Sequence, residues 1–180
     1  MTDEYKKFRA PPHRWDKPNE LLSDVDWLRW YHVVAERLKE TVYVPGSLTL
    51  NAGTSSDAVA DVQTLLDGNT YDIAEVAATP GFDVEFTFTV DIPPNGIITR
   101  LKYVGLDTHG VGIDLYNYTT TTWDRYHSFL GNHLDYVWIH VDIPDMTDYI
   151  DNLASIVRLY HFSAGDVTHD IYIDYIALRK

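Results

Sequence analysis

The segment that most constrains the fold of this chain is residues 81–92, because polar and apolar residues alternate along all of it. The apolar residues share one parity, and they are Phe82, Val84, Phe86, Phe88, Val90 and Ile92. Alternation over this length predicts a β-strand with one face in a core and the other in water, which is typical of an antiparallel sheet. Three phenylalanines on the inner face require a second apolar layer packed against them.

The chain on either side of this strand predicts a mainly β domain over residues 45–180. Val44-Pro45-Gly46-Ser47 marks the domain boundary, because proline and glycine interrupt regular structure there. Beyond it we predict further strands with turn residues between them and no helix. These strands cover residues 48–51, 59–66, 71–76, 97–106, 111–118, 123–129, 137–143, 156–162 and 170–178. Short strands at regular spacing predict an antiparallel β-sandwich or a barrel.

Residues 1–22 are predicted to be an extended anchoring arm. Three prolines prevent regular structure over much of this segment. Phe8 and Trp15 lie among basic residues that include Arg9 and Arg14, and we expect these four side chains to bind a partner. The alternative is a disordered tail, although such tails seldom carry large aromatic residues.

Residues 23–44 are predicted to form an amphipathic helix followed by a linker. Ser23 can cap the helix, and the apolar residues after it follow heptad spacing. The helix could pack on its own domain or associate with copies of itself, although two heptads are too few for a stable coiled coil alone. The predicted oligomer contacts are Leu28, Tyr31, Ala35 and Leu38.

Composition and charge exclude several classes of function. Residues 1–40 hold eight basic and eight acidic residues, so residues 41–180 carry the whole net charge of −13. A body of this charge repels nucleic acid, so no nucleic-acid partner is expected. The chain has no cysteine, which excludes disulfides and thiolate metal sites. We expect no signal peptide and no transmembrane segment, because the N-terminus is polar and no apolar run approaches membrane-spanning length.

Motifs for catalysis and metal binding are absent from the sequence, so no catalytic residue, cofactor or metal is predicted. Gly110-Val111-Gly112 precedes no helix that could hold a phosphate. The eight histidines show no ligand spacing, and we expect His140 and His161 to be ordinary strand residues. Four aspartates recur every three residues between 142 and 151, which is compatible with a calcium loop, but a turn capped by aspartate side chains is favoured.

Outward-facing aromatic residues are the most informative surface feature of the predicted sheets. Stacking on a sugar ring needs exposed aromatic faces with polar groups beside them, and a subunit interface uses the same residue types. We favour the interface and keep glycan binding as the alternative. The residues that we expect on this surface are Tyr116, Tyr118, Trp123 and Trp138.

The order of motifs in the last hundred residues resembles a known class of module. The segments concerned are residues 67–71, 111–118 with Trp123-Asp124, 143–152, 157–161 and 169–178. Together they resemble jelly-roll modules of the galactose-binding or carbohydrate-binding type, which occur in phage virion proteins and prokaryotic surface proteins. The resemblance covers residues 48–180 and implies an antiparallel β-sandwich with jelly-roll topology. Such modules include sugar binders and purely structural domains.

The layout of the whole chain, an arm and a short helix before a β domain, resembles the attachment segment of a phage tail or head appendage. This resemblance implies a non-enzymatic structural protein at the virion surface, a decoration subunit that contacts other virion proteins through its N-terminal segment. A homo-oligomer is expected, with a trimer favoured. The alternative function is a carbohydrate-binding module used for attachment to a host or another surface.

Overall fold

The computed structural model describes residues 42–180, which form ten antiparallel strands in two sheets. The strands are β1 (Val42–Tyr43), β2 (Pro45–Ala52), β3 (Tyr71–Ala74), β4 (Asp83–Thr89), β5 (Gly96–Val104), β6 (Gly110–Asn117), β7 (Thr122–Leu130), β8 (Val137–Asp142), β9 (Ala154–His161) and β10 (Asp170–Arg179). Sheet A has the order β1-β10-β5-β8, with β3 also paired to β10, and sheet B has the order β2-β4-β9-β6-β7. The predicted antiparallel β-sandwich is therefore confirmed.

Strand β4 contributes to the core as its alternation predicts. Val84, Phe86 and Phe88 are fully buried, while Asp83 and Glu85 on the other parity are partly exposed. Burial of each such apolar side chain contributes on the order of 1.5–3 kcal/mol to stability. The prediction that Ile92 also faces the core is wrong, because β4 ends at Thr89 and Ile92 is 59% exposed in the bend that follows.

The second apolar layer, which the phenylalanines of β4 require, comes from sheet A. Strand β5 alternates in the same manner, whereas β10 is buried on both faces from Ile173 to Leu178, and the inward residues of the two strands are completely buried. The main contributors from sheet A are Ile97, Leu101, Tyr103, Ile171, Ile173 and Leu178. Sheet B adds inward residues from β6 and β9, namely Val111, Ile113, Leu115, Val157 and Leu159. The core thus fills the space between the two sheets, as in other sandwiches.

Two further sequence-based predictions differ from the structure. The predicted strand at 59–66 is wrong, because Val59–Val62 is a short 3-10 helix in which only Val62 is buried. Its weak alternation does not distinguish a strand from a turn that places one side chain in the core. The sandwich also begins at Val42 rather than at residue 45, because Val42 and Tyr43 pair with the last residues of β10.

The predicted arm and helix lie outside the described residues. The same applies to the side chains proposed there for anchoring and self-association, which are Phe8, Arg9, Arg14, Trp15, Leu28, Tyr31, Ala35 and Leu38. The helices within residues 42–180 are two short 3-10 segments, Val59–Val62 and Thr147–Tyr149. No helix in this range has the length and apolar character needed to cross a membrane.

Candidate functional site

The outer face of sheet B collects large planar side chains from three neighbouring strands. Strand β6 directs Val111, Ile113 and Leu115 into the core, so its alternate residues lie on the outer face. The strand register brings Trp123 of β7 opposite Tyr116, and it brings both Arg125 of β7 and Arg158 of β9 opposite Asp114. Cross-strand neighbours on one face of a sheet are close enough to contact each other. Residues distant in sequence therefore form one surface.

These side chains form a continuous series of contacts, which we call the aromatic–arginine row. In spatial order its members are Tyr118, Tyr116, Trp123, Arg158, Tyr160, Arg125 and Phe162. Ring centroids are 5.0 Å apart for Tyr118 and Tyr116 and 5.2 Å apart for Tyr116 and Trp123, both in edge-to-face geometry. The row follows β6 from Gly110 to Tyr116, a length of about 20 Å at the usual rise of ~3.3 Å per residue.

Two guanidinium groups connect the aromatic rings of the row. The Arg158 guanidinium carbon lies 4.3 Å from the Trp123 ring centre and 4.1 Å from that of Tyr160. The Arg125 guanidinium lies 4.8 Å from the Tyr160 ring and 4.9 Å from the Phe162 ring, and it also donates a hydrogen bond to the Tyr160 hydroxyl. Such cation–π contacts contribute on the order of 0.5–2 kcal/mol each, so they hold the planar groups in fixed positions.

The carboxylate of Asp114 lies at the base of the row. Asp114 is buried, and it accepts hydrogen bonds from Arg125 Nε at 2.5 Å and from an Arg158 terminal nitrogen at 2.7 Å. One carboxylate thus fixes the positions of both guanidinium groups with charge-assisted hydrogen bonds. Asp83 is a second, looser partner, because its Oδ2 is 3.9 Å from Arg158. Burial raises the pKa of Asp83, although the Arg158 charge opposes this effect.

Two glycines of β6 create the space that Arg125 and Phe162 occupy against the sheet. A Cβ atom at Gly112 would be 2.6 Å from the Arg125 guanidinium carbon, and one at Gly110 would clash with the Phe162 ring. Any side chain at these outward positions would therefore displace a member of the row. The pair of glycines does not form a phosphate loop; it allows the close approach of Arg125 and Phe162 to the backbone.

The structure brings together three of the four aromatic residues predicted for the candidate surface. Tyr116, Tyr118 and Trp123 are adjacent in the row and half-buried. Trp138 lies elsewhere, on β8 of sheet A, where it is 44% exposed and contacts His140. The alternation of β8 correctly predicts that Trp138 points outward, but alternation does not show to which sheet a strand belongs.

Sequence reasoning missed the four remaining members of the row, Arg158, Tyr160, Arg125 and Phe162. Arg158 and Tyr160 could have been found, because both occupy the parity of β9 opposite to the buried Val157 and Leu159. Arg125 and Phe162 carry the same signal less clearly. Arg125 shares the parity of Trp123, but a register shift directly after it interrupts the alternation of β7, and Phe162 shares the parity of Tyr160 but follows the last residue of β9.

A separate group of polar side chains is buried at the end of the sandwich. Glu75 is 3% exposed, and it accepts hydrogen bonds from the Tyr103 hydroxyl at 2.9 Å and from the Asp166 backbone N–H at 3.0 Å. His161 Nδ1 lies 2.8 Å from Glu75 Oε1. Burial opposes the ionisation of Glu75, but the contacts from His161 and these two donors outweigh it and lower its pKa. Burial and the adjacent carboxylate raise the pKa of Tyr103.

Two histidines extend this buried group. His109 is half-buried in the connection between β5 and β6, and its ring centre lies 4.6 Å from that of His161 and 4.9 Å from that of His169. Burial and the neighbouring imidazoles lower the pKa of His109. His161 is in a strand as predicted, but its side chain points into this group. No sequence signal identified the group, because its members lie far apart along the chain.

The aspartates at 142–151 contact separate partners, some of them distant in sequence. Asp145 accepts a hydrogen bond from the Thr147 backbone N–H at 2.9 Å, which closes the turn before the 3-10 helix. Asp148 accepts one from the Thr119 hydroxyl at 2.8 Å, and Asp142 pairs with Arg179. Of these three contacts, the one made by Asp145 agrees with the turn that we favoured over a calcium loop.

An open depression of about 460 Å³ lies away from the row, beside β3 and the start of β10. It is polar, and its carboxylates are those of Asp57, Asp72 and Asp170. Asp57 accepts a hydrogen bond from the Asp72 backbone N–H at 2.8 Å, so at least one carboxylate has a structural role. The only aromatic ring in the lining belongs to Tyr172, which makes this depression a poorer platform for stacking than the row.

Comparison with known proteins identifies structures with the same fold. No family model matches the sequence, and no curated protein is detectably similar to it. A mutant of a family 29 carbohydrate-binding module superposes with a TM-score of 0.51 at 12% identity, covering 74% of this chain and 82% of that chain. A second structure, of a family 29 carbohydrate-binding module, superposes with a TM-score of 0.50 at 14% identity, covering 77% of this chain and 86% of that chain. At these identities the similarity shows the fold alone, a β-sandwich of the jelly-roll type.

Proposed function

We propose that residues 42–180 form a carbohydrate-binding module that binds a neutral glycan along the outer face of sheet B. The observation that carries this proposal is the aromatic–arginine row, a continuous platform of partly exposed rings and guanidinium groups. The shared fold with two carbohydrate-binding modules supports the same function, although only as an analogy.

The chemistry of the row suits a sugar chain. The C–H face of a pyranose is apolar and stacks on aromatic rings such as those of Trp123 and Tyr116, which are half-buried and already held in place. Sugar hydroxyls can accept hydrogen bonds from those guanidinium N–H groups of Arg125 and Arg158 that Asp114 does not accept. Because the rings and guanidinium groups are fixed before binding, little side-chain entropy is lost when a glycan docks. A platform about 20 Å long accommodates several sugar units in a line.

The local charge favours a neutral glycan over an acidic one. Asp114 and Asp83 neutralise the charges of Arg125 and Arg158, so the row offers no excess positive charge. The described body of the protein carries most of the negative charge of the chain. A polyanionic glycan would therefore be repelled at long range without compensation from the row.

Binding is proposed to occur without turnover. Hydrolysis of a glycosidic bond needs a pair of carboxyl groups that reach the bound sugar. Asp114 is buried beneath both guanidinium groups and has its two oxygens occupied by arginine nitrogens. It therefore acts as a support for the row and not as an acid or a nucleophile.

The virion-subunit function remains a prediction that depends on the layout of residues 1–44. Attachment by an N-terminal arm, a homotrimer and a position at the virion surface are compatible with a glycan-binding body, but no contact within residues 42–180 favours them. The aromatic–arginine row could also form an interface between copies of the chain. The experiment below separates this outcome from glycan binding.

The test compares two tryptophan variants that differ in location. Wild type, Trp123→Ala and Trp138→Ala would be run in native gels containing neutral polysaccharides (glucan, mannan, xylan) or acidic polygalacturonate. We expect retardation of wild type by at least one neutral polymer and none by polygalacturonate. Trp123→Ala should weaken binding about tenfold or more, because central aromatic residues at interfaces contribute ~2 kcal/mol or more. Trp138→Ala, on sheet A, should bind as wild type does.

Molar mass from light scattering, measured on the same samples, distinguishes a subunit interface from a glycan-binding surface. Glycan binding predicts an unchanged mass in both variants. A fall in mass for Trp123→Ala without any glycan retention in the wild type would show that the row is a subunit interface. Equal losses of retention in the two variants would show that the binding surface is not the row.

A further inference from the structure

The buried polar group at the end of the sandwich joins the two sheets. Glu75 directly follows β3 of sheet A, and His161 is the last residue of β9 in sheet B. His109 precedes β6, in the connection that crosses from sheet A to sheet B. Three potential metal-ligating side chains therefore converge at one point from three different segments of the chain.

The distances within this group suit a single metal ion. One donor atom from each of Glu75, His109 and His161 lies within 4.8 Å of the other two. Two ligands on a tetrahedral ion with bonds of ~2.1 Å are about 3.4 Å apart, so small side-chain movements would complete the geometry. His161 Nδ1 and Glu75 Oε1, at 2.8 Å, are already closer than this spacing.

Two of the three histidines have buried ring nitrogens without a hydrogen bond within residues 42–180, whereas His109 Nδ1 lies 3.4 Å from the Tyr103 hydroxyl. His161 is 0% exposed, and its Nε2 has no hydrogen-bond partner among the described residues, while its Nδ1 contacts Glu75 Oε1 at 2.8 Å. His169 Nδ1 is also buried, 3.4 Å from Glu75 Oε2, and has no hydrogen bond to any residue in the described range. Buried polar atoms are nearly always satisfied in folded proteins, so nitrogens placed in this way favour the binding of an ion between them.

The surroundings of Glu75 resemble the outer layer of a metal site. The Tyr103 hydroxyl and the Asp166 N–H donate to its two oxygens and fix the plane of the carboxylate. Hydrogen bonds of this kind orient ligands in metalloproteins. Glycines leave the necessary room, since a Cβ atom at Gly81 would be 2.6 Å from His161 Nδ1. Half-buried His109 gives an ion a route from solvent.

We propose that Glu75, His109 and His161 bind one zinc-like transition-metal ion that links sheet A to sheet B. Imidazole nitrogens and a carboxylate oxygen are ligands of Zn²⁺, whereas Ca²⁺ and Mg²⁺ prefer oxygen alone. His169 is the nearest further donor and can complete the coordination. The site does not overlap the aromatic–arginine row, and its role is to stabilise the fold.

The first experiment measures metal binding by the full chain after treatment with a chelator. Titration with Zn²⁺ should show one high-affinity ion per chain and a raised melting temperature, because a ligand that binds only the folded state stabilises it. The same concentration of Ca²⁺ should produce no shift. Co²⁺, used as a visible probe, should give the absorption bands of a tetrahedral nitrogen and oxygen site. Absence of Zn²⁺ binding at micromolar concentrations would overturn the proposal.

Variants locate the ion and separate loss of a ligand from loss of the fold. His161→Ala should abolish zinc binding. His109→Gln also removes a ligand but disturbs the fold less, because that side chain is only half-buried. Tyr103→Phe removes a hydrogen bond to Glu75 and should weaken zinc affinity by about 10–100-fold. His140→Ala removes an exposed histidine on β8 and serves as the control.

Circular dichroism would confirm that each variant is folded before its affinity is compared. Loss of the Co²⁺ bands in His109→Gln but not in His140→Ala supports the site. Binding that is unchanged in folded His109→Gln, or lost equally in His140→Ala, places the metal elsewhere and refutes the assignment.

Discussion

Replacement of Asp114 by asparagine tests whether the carboxylate beneath the row holds it in place. The change preserves the shape of the side chain but removes its charge. Asp114 is 2% exposed and accepts hydrogen bonds from both Arg125 and Arg158. In the variant, two guanidinium groups would face an amide that can accept fewer bonds and carries no charge.

The expected cost can be estimated from these contacts. Hydrogen bonds between charged groups contribute about 1.5–3 kcal/mol each. Arg125 and Arg158 remain 35% and 16% exposed, so water recovers part of the loss. We therefore expect Asp114→Asn to lower the free energy of unfolding by roughly 2–4 kcal/mol. For a chain of this size that corresponds to a melting temperature lower by roughly 5–15 °C. Urea titration and thermal melting measure both quantities.

Asp83→Asn is the matched control, because Asp83 lies on the same face and makes only a 3.9 Å contact with Arg158. Burial raises its pKa, which means that the folded protein disfavours its charge. Neutralising Asp83 should therefore change stability by less than about 0.5 kcal/mol or increase it. Equal losses in the two variants, or a larger loss for Asp83→Asn, would refute the assignment of Asp114 as the support of the row.

Three further predictions concern the fold, the pH dependence and the N-terminal segment. Phe86→Ala should lower the free energy of unfolding by about 3–5 kcal/mol because it leaves a core cavity, and Glu85→Ala should lower it by about 0.5 kcal/mol or less. Equal losses in urea titration would contradict the assignment of Phe86 to the core face of β4 and of Glu85 to the outer face. The pKa of Asp83 is raised in the folded state, so between its unfolded and folded pKa values the folded protein keeps a proton that the unfolded chain has lost, and the stability of wild type falls as pH rises. The stability of Asp83→Asn relative to wild type should therefore increase from pH 4 to pH 7. A stability difference that does not change with pH would contradict this prediction. Deletion of residues 1–20 should leave the melting temperature nearly unchanged, and a collapse would show that the segment belongs to the core of the domain.

The clear alternation of most strands was sufficient to predict a sandwich or a barrel, and the resemblance to jelly-roll modules favoured the sandwich. The burial of Val84, Phe86 and Phe88 follows directly from their spacing. Alternation failed where the strand ended, as at Ile92, and where it was weak, as at Val59–Val62. Local patterns describe which face a residue occupies, but they do not show where a strand stops.

The candidate sites were only partly predictable because they depend on strand order. Tyr116 and Trp123 face each other across a short hairpin, so their association could be expected from local spacing. The contact of Arg158 with Trp123 requires β9 to lie beside β6, which no local pattern reveals. Glu75 and His161 are likewise brought together by the packing of sheet A on sheet B, so the buried polar group has no signature in the sequence.

The most direct test of glycan binding at the row is an NMR titration of the ¹⁵N-labelled full chain. The chain has five tryptophans, whose indole N–H signals can be assigned by substitution. A neutral oligosaccharide should shift the signal of Trp123 and the backbone signals of Tyr116 and Arg158, with saturation. The signal of Trp138 on sheet A should stay in place. Saturable shifts at Trp138 without shifts at Trp123, or no shifts with any neutral glycan, would contradict the account.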